Sequence, residues 1–97
     1  ELDRAMGMVN KALKIEKSAA YYDTKAWIYY RQNKYRKAVK WVNRSLTYSD
    51  AGAEVHYHQG KILIELGKRE EAKKAFQRSV HLNPGYVESI KALEELK

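Results

Sequence analysis

Two segments of the chain repeat each other at a spacing of 34 residues. The coinciding positions are mostly small or apolar, and a fixed period of this length is typical of solenoids, in which each unit buries its apolar face against its neighbour. The repeat therefore predicts a helical array and a binding function rather than a catalytic one. The matched pairs are Ala26/Gly60, Ile28/Ile62, Tyr29/Leu63, Asn33/Gly67, Ala38/Ala72, Val42/Phe76, Leu46/Val80, Tyr48/Leu82 and Asp50/Pro84.

Residues 2–17 match the second half of this repeat at a spacing of 33. We therefore expect them to form the second helix of a repeat whose first helix precedes Glu1 in a longer protein. The apolar face of this helix would lack its covering helix, and exposed apolar surface favours self-association. The sequence thus predicts a self-association edge here, made of Met6, Met8, Val9, Leu13 and Ile15.

The segment from Gly60 to Pro84 resembles the tetratricopeptide repeat, with a small residue in its first helix, a turn at Gly67, then Ala72 and Phe76 in its second helix. The resemblance covers nearly the whole chain. It implies an all-α, right-handed α-solenoid of antiparallel helix pairs, with about two and a half repeats and a C-terminal capping helix. We expect a single domain over 1–97, divided into a partial repeat (1–17), two repeats (19–52 and 53–86) and the capping helix (87–97).

Other details refine this resemblance. The run from Asp23 to Ile28 and the turn from Tyr35 to Ala38 look like bacterial members of the family. Lys25 and Gln59 stand where the family usually has Leu, so we expect looser packing there or a Lys stem lying over apolar surface.

The pattern predicts six helices, at about 2–16, 20–32, 35–48, 53–66, 69–82 and 86–96. Asn33 and Gly67 occupy equivalent turns, and both residue types tolerate the left-handed conformation that ends a helix. Ala38 and Ala72 are expected to be buried where paired helices approach closely. The last helix is expected to cover the array with one apolar side, formed by Val87, Ile90, Leu93 and Leu96.

Several classes of function find no support in the sequence. The chain has no Cys, which excludes disulfides and thiolate metal sites, and it has no apolar run that could span a bilayer. His56 and His58 are two residues apart and cannot share a metal on a helix, while His81 lies on another helix. Nucleophile motifs and Gly-rich phosphate loops are absent. We therefore expect neither an enzyme nor a cofactor.

The family resemblance implies that first helices line a concave groove and second helices form the convex back. The interpretation we favour is a scaffold or adaptor whose groove binds a peptide or protein segment; the alternative is that Trp27 and Tyr57 only fill space between helices. A chaperone-tail clamp is rejected, because its slots hold Asp23, Thr24, Trp27, Tyr57, His58 and Lys61 and lack both of its Asn residues. The predicted groove residues are Asp23, Trp27, Tyr30, Arg31, Tyr57, Lys61, Ile64 and Glu65.

A basic stretch supplies an alternative function. Residues 1–50 carry 11 basic and 5 acidic residues, whereas residues 51–97 carry 8 and 7. Basic residues interleaved with aromatic rings could bind nucleic acid, and an anionic membrane surface or an acidic protein would use the same residues. We favour the simpler interpretation that these charges solvate a helix, and we do not expect a nucleic-acid partner. The residues concerned lie between Lys25 and Arg44, chiefly Lys34, Arg36, Lys37, Lys40 and Arg44.

Overall fold

A computed structural model describes residues 1–97 and contains six helices and no strands. They divide into two compact units, Glu1–Ala51 and Gly52–Lys97. Each unit holds one closely packed helix pair, α2 with α3 and α4 with α5, and one further helix. The helices are α1 (Leu2–Ile15), α2 (Ala19–Arg31), α3 (Tyr35–Ser45), α4 (Ala53–Glu65), α5 (Arg69–Leu82) and α6 (Val87–Glu95). The six predicted helices are confirmed, most to within one residue at each end.

The third helix is the exception, because it ends at Ser45 and not at the predicted residue 48. Beyond Ser45 the backbone tightens: the Thr47 N–H donates to the Arg44 carbonyl at 3.2 Å, and the Tyr48 N–H donates to the Ser45 carbonyl at 3.1 Å. The Thr47 hydroxyl also donates to the Arg44 carbonyl, at 2.7 Å. A side chain that takes a terminal carbonyl competes with the next helical hydrogen bond, so the α-helix stops one turn early.

The two hairpin turns are built identically. Asn33 and Gly67 have positive φ angles of 63° and 75°, as predicted. The N–H of the following residue then reaches back into the helix, from Lys34 to the Tyr29 carbonyl and from Lys68 to the Leu63 carbonyl, each at 2.9 Å. This is the Schellman arrangement, which satisfies the carbonyls left free at a helix end.

Each helix pair closes on small residues. Ala38 and Ala72 are fully buried, which confirms the prediction for both. In the second pair, a Cβ added at Gly60 would lie within 2.7 Å of Cδ1 and Cζ of the Phe76 ring, so only glycine fits against that ring. The same two slots of the first pair hold a larger and a smaller residue, Ala26 and Val42.

Buried serines tie the helices of each pair together. The Ser45 hydroxyl donates to the Ala19 carbonyl at 2.7 Å, and its counterpart Ser79 donates to the Ala53 carbonyl at 2.9 Å. Both bonds join the end of the second helix to the start of the first, so each pair runs antiparallel. These serines coincide at the 34-residue spacing, but neither was predicted to be buried.

The last helix packs differently from the prediction. Val87 is 53% exposed, so it is not part of the covering side, while Ile90, Leu93 and Leu96 are half-buried. The fully buried residue of α6 is Ser89, whose hydroxyl donates to the Ser79 hydroxyl at 2.7 Å. A polar contact therefore anchors this helix at its centre, and the apolar residues flank it.

The first helix buries part of its predicted apolar face. Val9 and Leu13 are buried, and α1 packs on α2. Met8 and Ile15 remain 66% and 89% exposed. None of the six helices has the length and apolar character needed to cross a bilayer.

Candidate functional site

The predicted contact residues on α2 centre on a pair of stacked rings. Trp27 and Tyr30 lie one turn apart and stack with centroids 4.4 Å apart and an interplanar angle of 8°. Tyr30 also contacts Tyr35 of α3, with centroids 5.7 Å apart, and the Tyr35 hydroxyl donates to the Asn33 side-chain oxygen at 2.9 Å. We call Trp27, Tyr30 and Tyr35 the aromatic edge. All three are half-buried, so each both packs and presents surface.

The two charged residues predicted on α2 differ in exposure. Arg31 is exposed at the end of the helix, next to the aromatic edge. Asp23 is buried, with 6% of its surface exposed. Arg31 is therefore free to meet a ligand at the surface, whereas Asp23 offers a ligand almost no surface.

On α4 the predicted residues share one face by their spacing, and Tyr57 does part of the packing. Its ring contacts Phe76 of α5 at 6.0 Å and Tyr86 at 5.7 Å, centroid to centroid. Burial raises the pKa of Tyr57, and Glu88 and Glu95 raise it further. Lys61 and Ile64 are half-buried and Glu65 is exposed, so the surface on α4 mixes one apolar side chain with two charges.

The five residues of the alternative site are all exposed on or beside α3. We call Lys34, Arg36, Lys37, Lys40 and Arg44 the basic face. Three of its cations lie over aromatic rings: Lys37 over Tyr29 at 5.7 Å, Lys40 over Trp41 at 5.2 Å, and Arg44 over Tyr22 at 5.5 Å from the ring centroids.

Two of the rings beneath these cations, Tyr22 and Trp41, belong to one cluster. Tyr22 stacks on Trp41 with centroids 5.7 Å apart and an interplanar angle of 10°, and it lies 6.0 Å from Tyr48. Tyr22 is only 4% exposed. The aromatic residues that alternate with the basic ones in sequence are thus largely engaged in packing, and they support the cations from below.

Lys25 behaves as the sequence predicted for a Lys in a Leu slot. It is half-buried, and its Nζ lies 4.0 Å from the centroid of the Trp41 ring. Burial lowers the pKa of Lys25, and the charge of Lys40 lowers it further. An ammonium held over an indole is stabilised by the ring quadrupole, which offsets part of the free-energy cost of burying the charge.

Metal-binding geometry is absent from the chain: no three His, Asp or Glu side chains come close enough together to hold an ion. His58 instead lies 3.9 Å from the Glu54 carboxylate, one turn away on the same helix.

A protein-family model and a known relative both match the repeats of this chain. The family model described as anaphase-promoting complex, cyclosome, subunit 3, matches residues 1–79. The chain is 31% identical over 65 residues to the TPR repeat-containing protein YpiA of Bacillus subtilis (strain 168). That match spans 67% of this chain but only 15% of YpiA.

Two solved structures share the fold. The second TPR domain of the human RPAP3 protein, determined by NMR in complex with the HSP70 peptide SGPTIEEVD, has a TM-score of 0.87 at 22% identity and covers 98% of this chain and 80% of that one. The C-terminal part of a TPR repeat-containing protein from Cytophaga hutchinsonii has a TM-score of 0.84 at 22% identity and covers 97% and 38%. These likenesses confirm the predicted fold class, an all-α solenoid of helix pairs. Together with the family-model match, they show that the chain belongs to the tetratricopeptide repeat (TPR) family.

Proposed function

We propose that the chain is a protein-interaction module that binds a peptide or protein segment through the first helix of a helix pair, with α2 and α4 each offering its own contact surface. TPR domains are protein-binding modules in general, and this supports the class of function. The observation that carries the proposal for this chain is the aromatic edge, where Trp27 stacks on Tyr30 while both remain partly exposed. The proposal assigns no reaction to the chain.

The chemistry of these residues suits peptide recognition. Aromatic side chains offer a large contact area and lose little conformational freedom on binding, so they are common energetic centres of interfaces. Trp27 and Tyr30 fix each other by stacking, which lowers that loss further. The exposed charge of Arg31, beside the aromatic edge, would then set the direction of a segment bound at α2, and that of Glu65 would do the same at α4.

The RPAP3 neighbour shows that a domain of this fold can hold a short peptide. The residues on this chain differ from a chaperone-tail clamp, since Asp23 is buried and the clamp asparagines are missing. We therefore propose that this chain takes a peptide of another kind, bound mainly by apolar contact with the aromatic edge.

Selection of peptides from a random phage-displayed library that lacks Asp and Glu, followed by affinity measurement on the whole chain, tests the proposal. Trp27→Ala should weaken binding of the selected peptides by at least about 30-fold, because truncating an interface centre costs about 2 kcal/mol or more. Binding should persist at moderate salt, since apolar burial is insensitive to screening.

Trp41→Ala is the matched control, because it removes the same side chain from the other side of the first helix pair. Circular dichroism checks that both variants fold. The proposal fails if the selected peptides lose affinity with Trp41→Ala and not with Trp27→Ala, or if affinity falls steeply with salt.

A further inference from the structure

A cavity of about 440 Å³ opens on the first unit between α1, α2 and α3. Its floor is apolar and is formed by Leu13, Tyr22 and Trp41. Its rim carries three lysines, Lys14, Lys17 and Lys25. Asn10 completes the lining, and we call these seven residues the lysine pocket. It lies apart from the aromatic edge and uses none of its residues.

The charge around the lysine pocket is of one sign. No acidic side chain lines the cavity. Lys40, over the Trp41 ring, brings a further positive charge to its edge. Like charges held close together repel one another: burial lowers the pKa of Lys25, and the charge of Lys40 lowers it further. A bound anion would offset this repulsion.

The lysine pocket is not a general consequence of the repeat. A smaller cavity, of about 250 Å³, lies between α4 and α5 in the second unit. It is lined by Gln59 and Ala75 where the first unit has Lys25 and Trp41, and its charges are mixed, with Lys74 and Arg78 beside Glu71. The aromatic floor and a rim without a carboxylate therefore distinguish the first cavity from the second.

We propose that the lysine pocket binds an acidic peptide segment in which carboxylates flank one apolar side chain. The floor accepts the apolar side chain, and the rim accepts the carboxylates. Lysine ammoniums are point charges on flexible stems, which suit several separate carboxylates. The forked guanidinium that recognises phosphate in two-point geometry is missing from the lining, since none of these residues is Arg.

The same geometry argues against a nucleic-acid strand at this place. Sequence-independent binding of a strand needs an extended basic track and open ring faces on which bases stack. Here the cavity is local, and the Trp41 ring already contacts the Tyr22 ring and the Lys25 ammonium.

Fluorescence anisotropy with a labelled peptide of sequence EELEE tests the proposal on the whole chain. The wild-type chain should bind this peptide and not the peptide with glutamines in place of the glutamates. Lys25→Gln, which places in this slot the residue type of Gln59, should lower affinity about fivefold, and Lys14→Gln/Lys25→Gln about 25-fold if the two sites are independent.

Lys11→Gln is the matched control, because it removes the same charge from an exposed position on α1 outside the lining. Its affinity should stay within about twofold of the wild type, since an exposed distant charge is screened. An equal loss with Lys11→Gln would reduce the effect to net charge and overturn the proposal. So would failure to bind the glutamate peptide, or tighter binding of single-stranded oligouridylate that depends on Lys25.

Discussion

The two helix pairs have the same interior plan and fill it with different residues. The contact slot of the first pair holds Ala26 and Val42, and that of the second holds Gly60 and Phe76, so one residue shrinks as its partner grows. The buried serine and the left-handed turn residue recur in both. Packing thus constrains the summed volume across a pair of helices more tightly than the identity of either residue.

Away from these contact slots, the residues of the two pairs differ far more. Three aromatic slots of the first pair, at Tyr22, Trp41 and Tyr48, hold His56, Ala75 and Leu82 in the second. The first turn of α3 carries no acidic residue, whereas that of α5 carries Glu70 and Glu71. Side chains that the fold does not require are the ones that can serve a ligand, so this contrast marks the first unit as the chemically distinctive one.

The largest effect is expected where the volumes of the two pairs are exchanged. Gly60→Ala places a methyl group against the fully buried Phe76 ring and should destabilise the chain by about 1–3 kcal/mol. Equilibrium denaturation measures this.

The double variant Gly60→Ala/Phe76→Val recreates the first pair's combination. It should be more stable than the sum of its two single changes predicts, because the smaller Val makes room for the methyl group. Additive losses would show that the two pairs do not share one packing plan.

The buried serines give the next largest expected difference in stability between the two pairs. Ser79→Ala leaves the Ser89 hydroxyl without its acceptor as well as the Ala53 carbonyl without its donor, while Ser45→Ala affects only the Ala19 carbonyl. We expect losses of about 2 kcal/mol and about 1 kcal/mol respectively, measured by denaturation. Equal losses would mean that the Ser79–Ser89 bond adds nothing to the stability of the second unit.

Exchanging charges at the start of α3 should raise stability, whereas the substitutions above lower it. Arg36 and Lys37 lie at the positive end of the α3 dipole, where cations are unfavourable. Arg36→Glu/Lys37→Glu, which copies Glu70 and Glu71, should therefore raise the free energy of unfolding by about 1 kcal/mol at low salt. The gain should fade as salt is added, and a salt-independent change would point to another cause.

The smallest effect concerns His56, which stands in the slot of Tyr22. Burial lowers the pKa of His56, and the charge of Arg78 lowers it further. As the pH falls through the unfolded-state pKa of about 6.5, the unfolded chain then binds more protons than the folded chain, so stability should fall with pH from that point downward. His56→Gln should flatten part of this dependence in thermal melts, and the exposed His81→Gln should not. Identical curves for the two variants would count against this assignment.

Most of the fold could be predicted, because its determinants are local in the sequence. Positive φ at Asn33 and Gly67 follows from residue type and position, and the buried Ala38 and Ala72 follow from the helical period. The early end of α3 depends on one hydroxyl of Thr47. The role of Ser89 depends on which residue of α6 meets Ser79, and periodicity cannot supply that contact.

The candidate sites could likewise be predicted only in part. The exposure of Lys34 and its neighbours on the basic face follows from their charge and spacing. The lysine pocket requires three helices to converge, and Lys14 and Lys17 were not predicted as site residues because no local sequence pattern signals that convergence. Asp23 was predicted to line a groove, and its burial depends on packing that composition does not encode.

The two tryptophans give the most direct test of the proposed function, because Trp27 belongs to the aromatic edge and Trp41 to the lysine pocket. Each indole N–H gives its own signal in a ¹H–¹⁵N spectrum of the labelled chain. When a peptide selected from the random library is added, the Trp27 signal should shift and the Trp41 signal should remain in place. A peptide that moves Trp41, together with the amides of α3, and leaves Trp27 unchanged would contradict the assignment of peptide binding to the first helices.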